Sequence, residues 1–291
     1  MLIDQNEAEL AHQKHELSDL IVEILRRYPY LCYFQGYHDI CQVLLLVLPI
    51  PTRAQAVARL SALRIRDFML PTLEPAISQL HLIPDILRAA DPGLWRHLSD
   101  TQPFFALSGT LTMYAHDITT LGEITRLFDV LLAREPVFTV YMFAAIVRSR
   151  REELFETPPD EPEMLHSILS KLPNPLDLEA LIASACRLFE AHPPEKLRSW
   201  RSISKSSVLK TARDCAVDQS MEDGHASFEA QAAELRWMEK RRKFLELAWR
   251  YRRSAGTVGL AVLFGVVAIL LRKSPGGPWG AIWSLLGRWH W

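Results

Sequence analysis

The chain has 291 residues, of which 49% are hydrophobic and 23% charged, a composition typical of a protein with a packed core rather than of a disordered one. Its 33 Lys and Arg against 34 Asp and Glu argue against nucleic acid as a partner, because phosphate binding needs clustered positive charge. The four cysteines show no Cys-x-x-Cys spacing, which predicts free thiols in a reducing compartment.

Hydrophobic residues follow a helical spacing through nearly all of residues 1–194. The first stripe, over 17–28, predicts a helix that Pro29 ends. Later stripes predict helices at 54–68, 77–90, 104–114, 121–132, 138–147, 163–172 and 178–190. Sustained alternation of apolar and polar residues is missing, so the sequence gives little support for strands. The sequence therefore predicts an all-α domain over 1–194.

The composition changes after this domain. Residues 195–225 are rich in Ser, Lys and Arg, which predicts a flexible linker. Residues 226–253 are rich in Ala, Glu and Arg, which predicts a basic helix beside a membrane, with a solvated charged face as the alternative for its basic end. Residues 254–271 are 18 consecutive uncharged residues, enough for a helix of about 27 Å that could just cross a thin bilayer. A buried core helix is the alternative for this run.

The flanking charges predict the orientation of that span. More Lys and Arg residues precede it than follow it, so the body before it is expected in the cytosol. Residues 272–291 form a short tail rich in Trp, which is predicted to lie as an interfacial helix, with a re-entrant hairpin as the alternative.

The densest group of chemically capable side chains is Tyr-Phe-Gln-Gly-Tyr-His-Asp at 33–39. Three interpretations are open from the residues alone. The first is a turn that caps a helix, because Gly36 relaxes the backbone. The second, a catalytic pair of His38 and Asp39, is weaker, because neighbouring side chains on a helix diverge. The third is a presented amide at Gln35, which can donate to one group and accept from a water.

This motif resembles the Tyr-x-Gln-Gly motif of TBC-domain Rab GTPase-activating proteins. The segments 23–40, 63–73, 105–108 and 126–133 are similar, in the same order, to the subfamily that a C-terminal segment anchors in the endoplasmic reticulum (ER). The resemblance covers roughly residues 7–194. It implies a TBC-type helical domain that accelerates GTP hydrolysis on a GTP-bound Rab, at the ER membrane in ER–Golgi traffic.

The family supplies two residues in trans, an arginine and a glutamine. Gln35 matches the glutamine, and the resemblance makes Tyr33, Gly36 and Tyr37 partner-binding residues. The arginine belongs to an Ile-x-x-Asp-x-x-Arg motif some tens of residues before the glutamine, which the 34 residues before Gln35 do not contain. Arg26 is only a weak candidate for that finger. The first part of the domain is therefore expected to be missing from this sequence.

Other site chemistries find little support. The ten histidines include no His-Glu-x-x-His, and the glycines form neither a P-loop nor a Gly-x-Gly-x-x-Gly motif. No metal and no cofactor are therefore expected. The protein is expected to stimulate a partner's hydrolysis rather than to hold a substrate pocket of its own. A catalytically silent Rab-binding protein or membrane scaffold is the alternative, because the arginine is not found, and an unrelated helical membrane protein is a remote third.

Overall fold

The computed structural model describes residues 7–213 and 218–273, which form helices and connecting turns without a strand. The all-α prediction is confirmed for these residues. The first seven α-helices are α1 (Glu7–Arg27), α2 (Tyr37–Val47), α3 (Ile50–Leu63), α4 (Glu74–Leu80), α5 (Leu82–Ala90), α6 (Pro92–His97) and α7 (Leu107–Leu111). The next seven are α8 (Leu121–Ala133), α9 (Phe138–Ser149), α10 (Arg151–Glu156), α11 (Pro162–Leu169), α12 (Leu178–Ala191), α13 (Val208–Thr211) and α14 (Met221–Lys273).

Two compact units make up the chain, Met1–Ala233 and Glu234–Trp291. In the first unit, α9 is the central core helix, because nine of its 12 residues are buried. It packs against α5 and α12. The helices α1, α2 and α3 pack on one another and hold the turn before α2.

Two predicted helices are interrupted in the structure. The stripe at 77–90 is divided between α4 and α5, with His81 at the junction. Pro84 explains the break, because it has no N–H to donate to the carbonyl of Leu80. The stripe at 104–114 is a 3-10 turn followed by the short α7, and the chain then takes positive φ at Met113 (51°) and Tyr114 (67°).

The close packing around α7 also gives Gly109 its role. A Cβ on Gly109 would lie 3.2 Å from the rings of Phe143 and Tyr114. Those two rings therefore fill the space beside this position, and only a small residue fits there.

The structure differs from the sequence prediction in the range expected to be a flexible linker, 195–225. Its described residues up to 213 include buried apolar side chains, namely Leu197, Trp200, Ile203, Val208, Leu209 and Ala212. The buried Asp67 carboxylate accepts hydrogen bonds from Ser207 Oγ (2.5 Å) and Val208 N (3.0 Å). Arg66, fully buried, donates to Ser206 O (2.6 Å) and Thr211 Oγ1 (3.1 Å). This segment is thus part of the core, fixed by two charged residues from the turn after α3.

Within residues 7–213 and 218–273, no helix is long and apolar enough to cross a membrane. The structure therefore does not support the membrane span predicted at 254–271. This range falls in α14, and most of its side chains lie outside the described residues. The tail at 274–291, predicted to lie at the interface, also lies outside them.

Candidate functional site

The Tyr-Phe-Gln-Gly segment forms a tight turn immediately before α2. Tyr37 N donates to Phe34 O (3.1 Å), so Gln35 and Gly36 are its two central residues. Gly36 has φ 101° and ψ −7°, close to the values of the second central residue of a type II turn, where L side chains are strained. Gly36 also lies against the α7 region, since a Cβ there would be 2.6 Å from Thr112 Cγ2.

Alternate residues of this segment point in opposite directions. Phe34 is buried, with its ring centroid 5.6 Å from that of Tyr37 and 6.0 Å from that of Phe68. Tyr33, 51% exposed, and Gln35 face solvent. The Gln35 amide makes no hydrogen bond with any residue that the structure describes, so it is available to a partner.

Tyr37 has a structural role, contrary to the prediction that it binds a partner. Its side chain is fully buried, and its hydroxyl is 2.7 Å from Ser61 Oγ. Burial raises the pKa of its hydroxyl far above the ordinary value. A residue with no exposed surface cannot contact a docked protein, so Tyr37 anchors the turn. The buried Gly36 acts through the backbone in the same way.

Three further residues beside Gln35 form a polar chain with Tyr33. Tyr33 Oη is 3.0 Å from His38 Nδ1, His38 Nε2 is 3.4 Å from Asp39 Oδ1, and Asp39 Oδ2 is 3.3 Å from His116 Nδ1. Burial, and then the negative charge of Asp39, raise the pKa of Tyr33. This chain connects α2 to the turn after α7. It holds the exposed tyrosine beside the presented glutamine.

An open groove of about 600 Å³ adjoins the turn. It is lined by Gln35, Tyr33, Leu73, Leu111, Thr112 and His116, among others. Its outer edge includes apolar surface, because Leu73 is 41% exposed. A groove this open and partly apolar suits a segment of another protein better than a small substrate.

The sequence analysis did not predict the groove residues that come from the α7 region. His116 and Thr112 lie about 80 residues after the glutamine and belong to no recognisable motif. Arg26, the weak finger candidate, is exposed in the last turn of α1, and among the described residues it is not part of the groove lining. The described residues also contain no group of three His, Cys, Asp or Glu side chains able to hold a metal ion.

Residues 4–155 match the family model of the Rab-GTPase-TBC domain. The chain belongs to this family. It is 37% identical over 231 residues to the GTPase-activating protein gyp10 of Schizosaccharomyces pombe, covering 78% of this chain and 62% of that protein. It is 34% identical over 207 residues to TBC1 domain family member 20 of Bos taurus, covering 70% of this chain and 51% of that protein.

The human TBC1 domain family member 20 is 31% identical over 268 residues, covering 90% of this chain and 66% of that protein. The chain thus spans between about half and two thirds of the length of these relatives. The matched family range contains the Gln35 turn, the groove and α7.

Gly36→Ala is expected to destabilise the TBC domain by about 1–3 kcal/mol, because alanine is strained at positive φ and its methyl group would meet Thr112. Chemical denaturation measures the change in the free energy of unfolding. Gly122→Ala, in α8, is the matched control, since nothing lies within 4 Å of a Cβ there. It should be neutral or slightly stabilising. Equal effects of both substitutions would contradict the turn geometry.

Cys41 is expected to resist alkylation in the native protein at mildly alkaline pH. Burial raises the pKa of its thiol from 9.0 to about 12, so the reactive thiolate is scarce. Because the folded pKa is the higher one, this thiol favours the folded state below pH 9, and that contribution is lost as the pH rises towards 12. Mass spectrometry after iodoacetamide treatment measures labelling, with the half-buried Cys186 as internal control. Labelling of Cys41 as fast as Cys186 would contradict the buried environment.

Proposed function

We propose that this TBC domain accelerates GTP hydrolysis on a Rab-family GTPase by presenting Gln35 in trans to the bound nucleotide. The proposal rests on the exposure and the fixed position of Gln35. Its amide is exposed and unbonded within the described structure, yet its backbone is fixed by the buried neighbours Phe34 and Tyr37. A polar group that is both free and positioned is what a trans-acting residue requires.

The amide has the chemistry to orient a water. In γ-phosphoryl transfer, the attacking water must lie in line with the leaving oxygen while negative charge develops on the phosphate oxygens. An amide can accept a hydrogen bond from that water through its oxygen and donate another through its nitrogen. Gln35 would thus act on the GTPase's own reaction. The protein needs no substrate pocket and no cofactor for this role.

The groove beside Gln35 is the proposed Rab contact. Tyr33 and Leu73 both line it and expose apolar surface. An aromatic side chain held by a hydrogen bond, as Tyr33 is by His38, loses little conformational entropy on binding. The partner is proposed to dock in its GTP-bound state, since only that state carries the γ-phosphate.

A catalytically silent Rab-binding protein is the second candidate. One observation favours it: the 291 residues contain no Ile-x-x-Asp-x-x-Arg segment. The glutamine would orient the water, but no arginine of such a motif would stabilise the negative charge of the transition state. Both candidates share the docking surface and differ only in the acceleration of hydrolysis.

Docking is tested by measuring binding of the full chain to a panel of Rabs loaded with a non-hydrolysable GTP analogue or with GDP. Binding is expected to one or a few Rabs and to be stronger with the analogue. Tyr33→Ala and Leu73→Ala should each weaken it about tenfold. Glu152→Ala, at an exposed position of α10, is the control and should leave it unchanged. Binding to no Rab, or insensitivity to both groove variants, would refute the docking surface.

We further propose that residues 254–271 attach the protein to the ER membrane, with residues 1–194 in the cytosol. The support is the sequence alone: 18 uncharged residues preceded by a basic cluster. Deletion of 254–291 is expected to release the protein from membranes in carbonate extraction. Retention of that deletion variant on membranes, or glycosylation of an acceptor site introduced near residue 10, would contradict the attachment or its orientation.

A further inference from the structure

A second cavity, of about 440 Å³, lies between the end of α9, the segment 173–177 and one face of α12. It shares no lining residue with the groove beside Gln35. Its polar lining consists of Arg148, Ser149, Asp177, Ser184 and Arg187. Two of these side chains are arginines, and the proposed Rab chemistry uses neither.

The Arg148 guanidinium, in the last turn of α9, lacks a partner for a buried donor. Its Nε is buried without a hydrogen bond. The charge of Asp91 interacts with Arg148, but its carboxylate accepts hydrogen bonds from Arg151 Nε (2.9 Å) and Leu94 N (3.0 Å) and not from Arg148. Arg148 lines the cavity, and no described residue forms a hydrogen bond with its guanidinium, so its terminal N–H groups are left for a ligand.

Arg187 offers a second charge to the same space. It is exposed on α12, one turn after Ser184, and forms no hydrogen bond or ion pair with a described residue. Arg150, close in sequence to Arg148, behaves differently. Its guanidinium is occupied by Glu153 (2.8 Å) and by the carbonyls of Ile168 and Lys171 (2.6 Å each). Free guanidinium donors are therefore found at the cavity while the neighbouring arginine is neutralised.

The cavity lining contains one carboxylate, and its repulsion of a bound anion is reduced. Asp177 Oδ1 accepts from Ala180 N (3.0 Å) and caps the first turn of α12, whose dipole offsets some of its charge. Within the lining, two arginines against one capped aspartate leave a net positive charge, which Asp91, outside the lining, offsets in part at Arg148. The Ser184 hydroxyl adds a neutral donor.

From these observations we infer that the cavity binds a phosphate monoester carried by a small molecule or by a lipid headgroup. Guanidinium groups match the oxygens of a phosphate in forked geometry, and two arginines line this one cavity. The volume exceeds that of one phosphate group, so the ligand includes the group that bears it. A soluble phosphorylated metabolite and a phosphoinositide headgroup share this chemistry.

The test uses the full chain and two probes. Inositol trisphosphate binding is measured by calorimetry, and co-sedimentation is measured with phosphatidylcholine vesicles that contain or lack a phosphoinositide. Arg187→Ala is expected to weaken binding about tenfold to hundredfold, and Arg148→Lys, which keeps the charge but removes the fork, about tenfold. Arg201→Ala, an exposed arginine outside the cavity, is the control. Unchanged melting temperatures show that the variants fold.

Each outcome decides the inference. Saturable binding of inositol trisphosphate that both cavity variants weaken supports the site, and the source is then a soluble ligand if phosphoinositide vesicles sediment no extra protein. Extra sedimentation with phosphoinositide vesicles that Arg187→Ala removes supports the site with a lipid source. No binding of either probe, or binding that Arg201→Ala weakens as much as Arg187→Ala does, overturns it. Rab binding should be unaffected throughout, so failure here leaves the proposed function intact.

Discussion

The 291-residue chain is expected to bind a GTP-loaded Rab and yet leave its single-turnover GTP hydrolysis close to the GTPase's own rate. Binding contacts are spread over the groove, whereas the charge of the transition state is stabilised mainly by one arginine. Preceding residue 1 by an Ile-x-x-Asp-x-x-Arg segment taken from a family member should raise the rate by about 10³–10⁵, or roughly 4–7 kcal/mol. Rapid mixing with a Rab panel and quantification of released phosphate measures the effect.

Within that extended protein, Gln35→Ala is expected to remove about a hundredfold of the acceleration while Rab binding changes little. The residue contacts the water rather than the ground-state surface, so its loss should reduce the rate and not the affinity. Gln35→Glu is the matched comparison, because it keeps the shape and loses the amide donor. Glu152→Ala should match the unmodified protein.

Two results would contradict this division of roles. Full acceleration by the unextended chain would transfer the charge-stabilising role to Arg26 or to the Rab itself, and Arg26→Ala would then distinguish these. An unchanged rate in Gln35→Ala would leave the Tyr-Phe-Gln-Gly turn with only a structural task, the capping of α2.

Asp67→Ala is expected to lower the free energy of unfolding by about 3–5 kcal/mol, the largest stability effect of any substitution considered for this domain. The carboxylate is 1% exposed and accepts from Gln79 Nε2 (2.7 Å), Ser207 Oγ and Val208 N. Its removal leaves these donors unpaired and the buried Arg66 without its nearest negative charge. Urea denaturation measures the loss.

The same substitution should free the segment 204–211 from the core, so that trypsin cuts after Lys205 or Lys210 more readily. Asp100→Ala, at an exposed position, is the control and should change the stability by less than about 0.5 kcal/mol. A loss below about 1 kcal/mol in Asp67→Ala, with unchanged proteolysis, would show that this segment is held by its apolar contacts alone.

Much of the helical framework was predictable from the sequence, because the hydrophobic residues of a helix recur with the helical period. The stripes at 121–132, 138–147 and 178–190 correspond to α8, α9 and α12. The interruptions were harder to predict, since they depend on single residues such as Pro84 and on the packing that follows them. The segment 195–213 was misjudged because its serines and basic residues are typical of linkers, whereas its buried apolar residues are too sparse to form a stripe.

The sequence by itself determined the all-α class, the family resemblance and the place of Gln35 in its motif. The tertiary structure decided which residues of that motif face solvent: Tyr37 turns inward to Ser61, and Gly36 packs against Thr112. It also brought His116 to Asp39 across 77 residues. The physical reason is that a helix repeats and a tight turn does not. The directions of side chains in a turn are set by the neighbours that fill the space around it, and those neighbours come from distant parts of the chain.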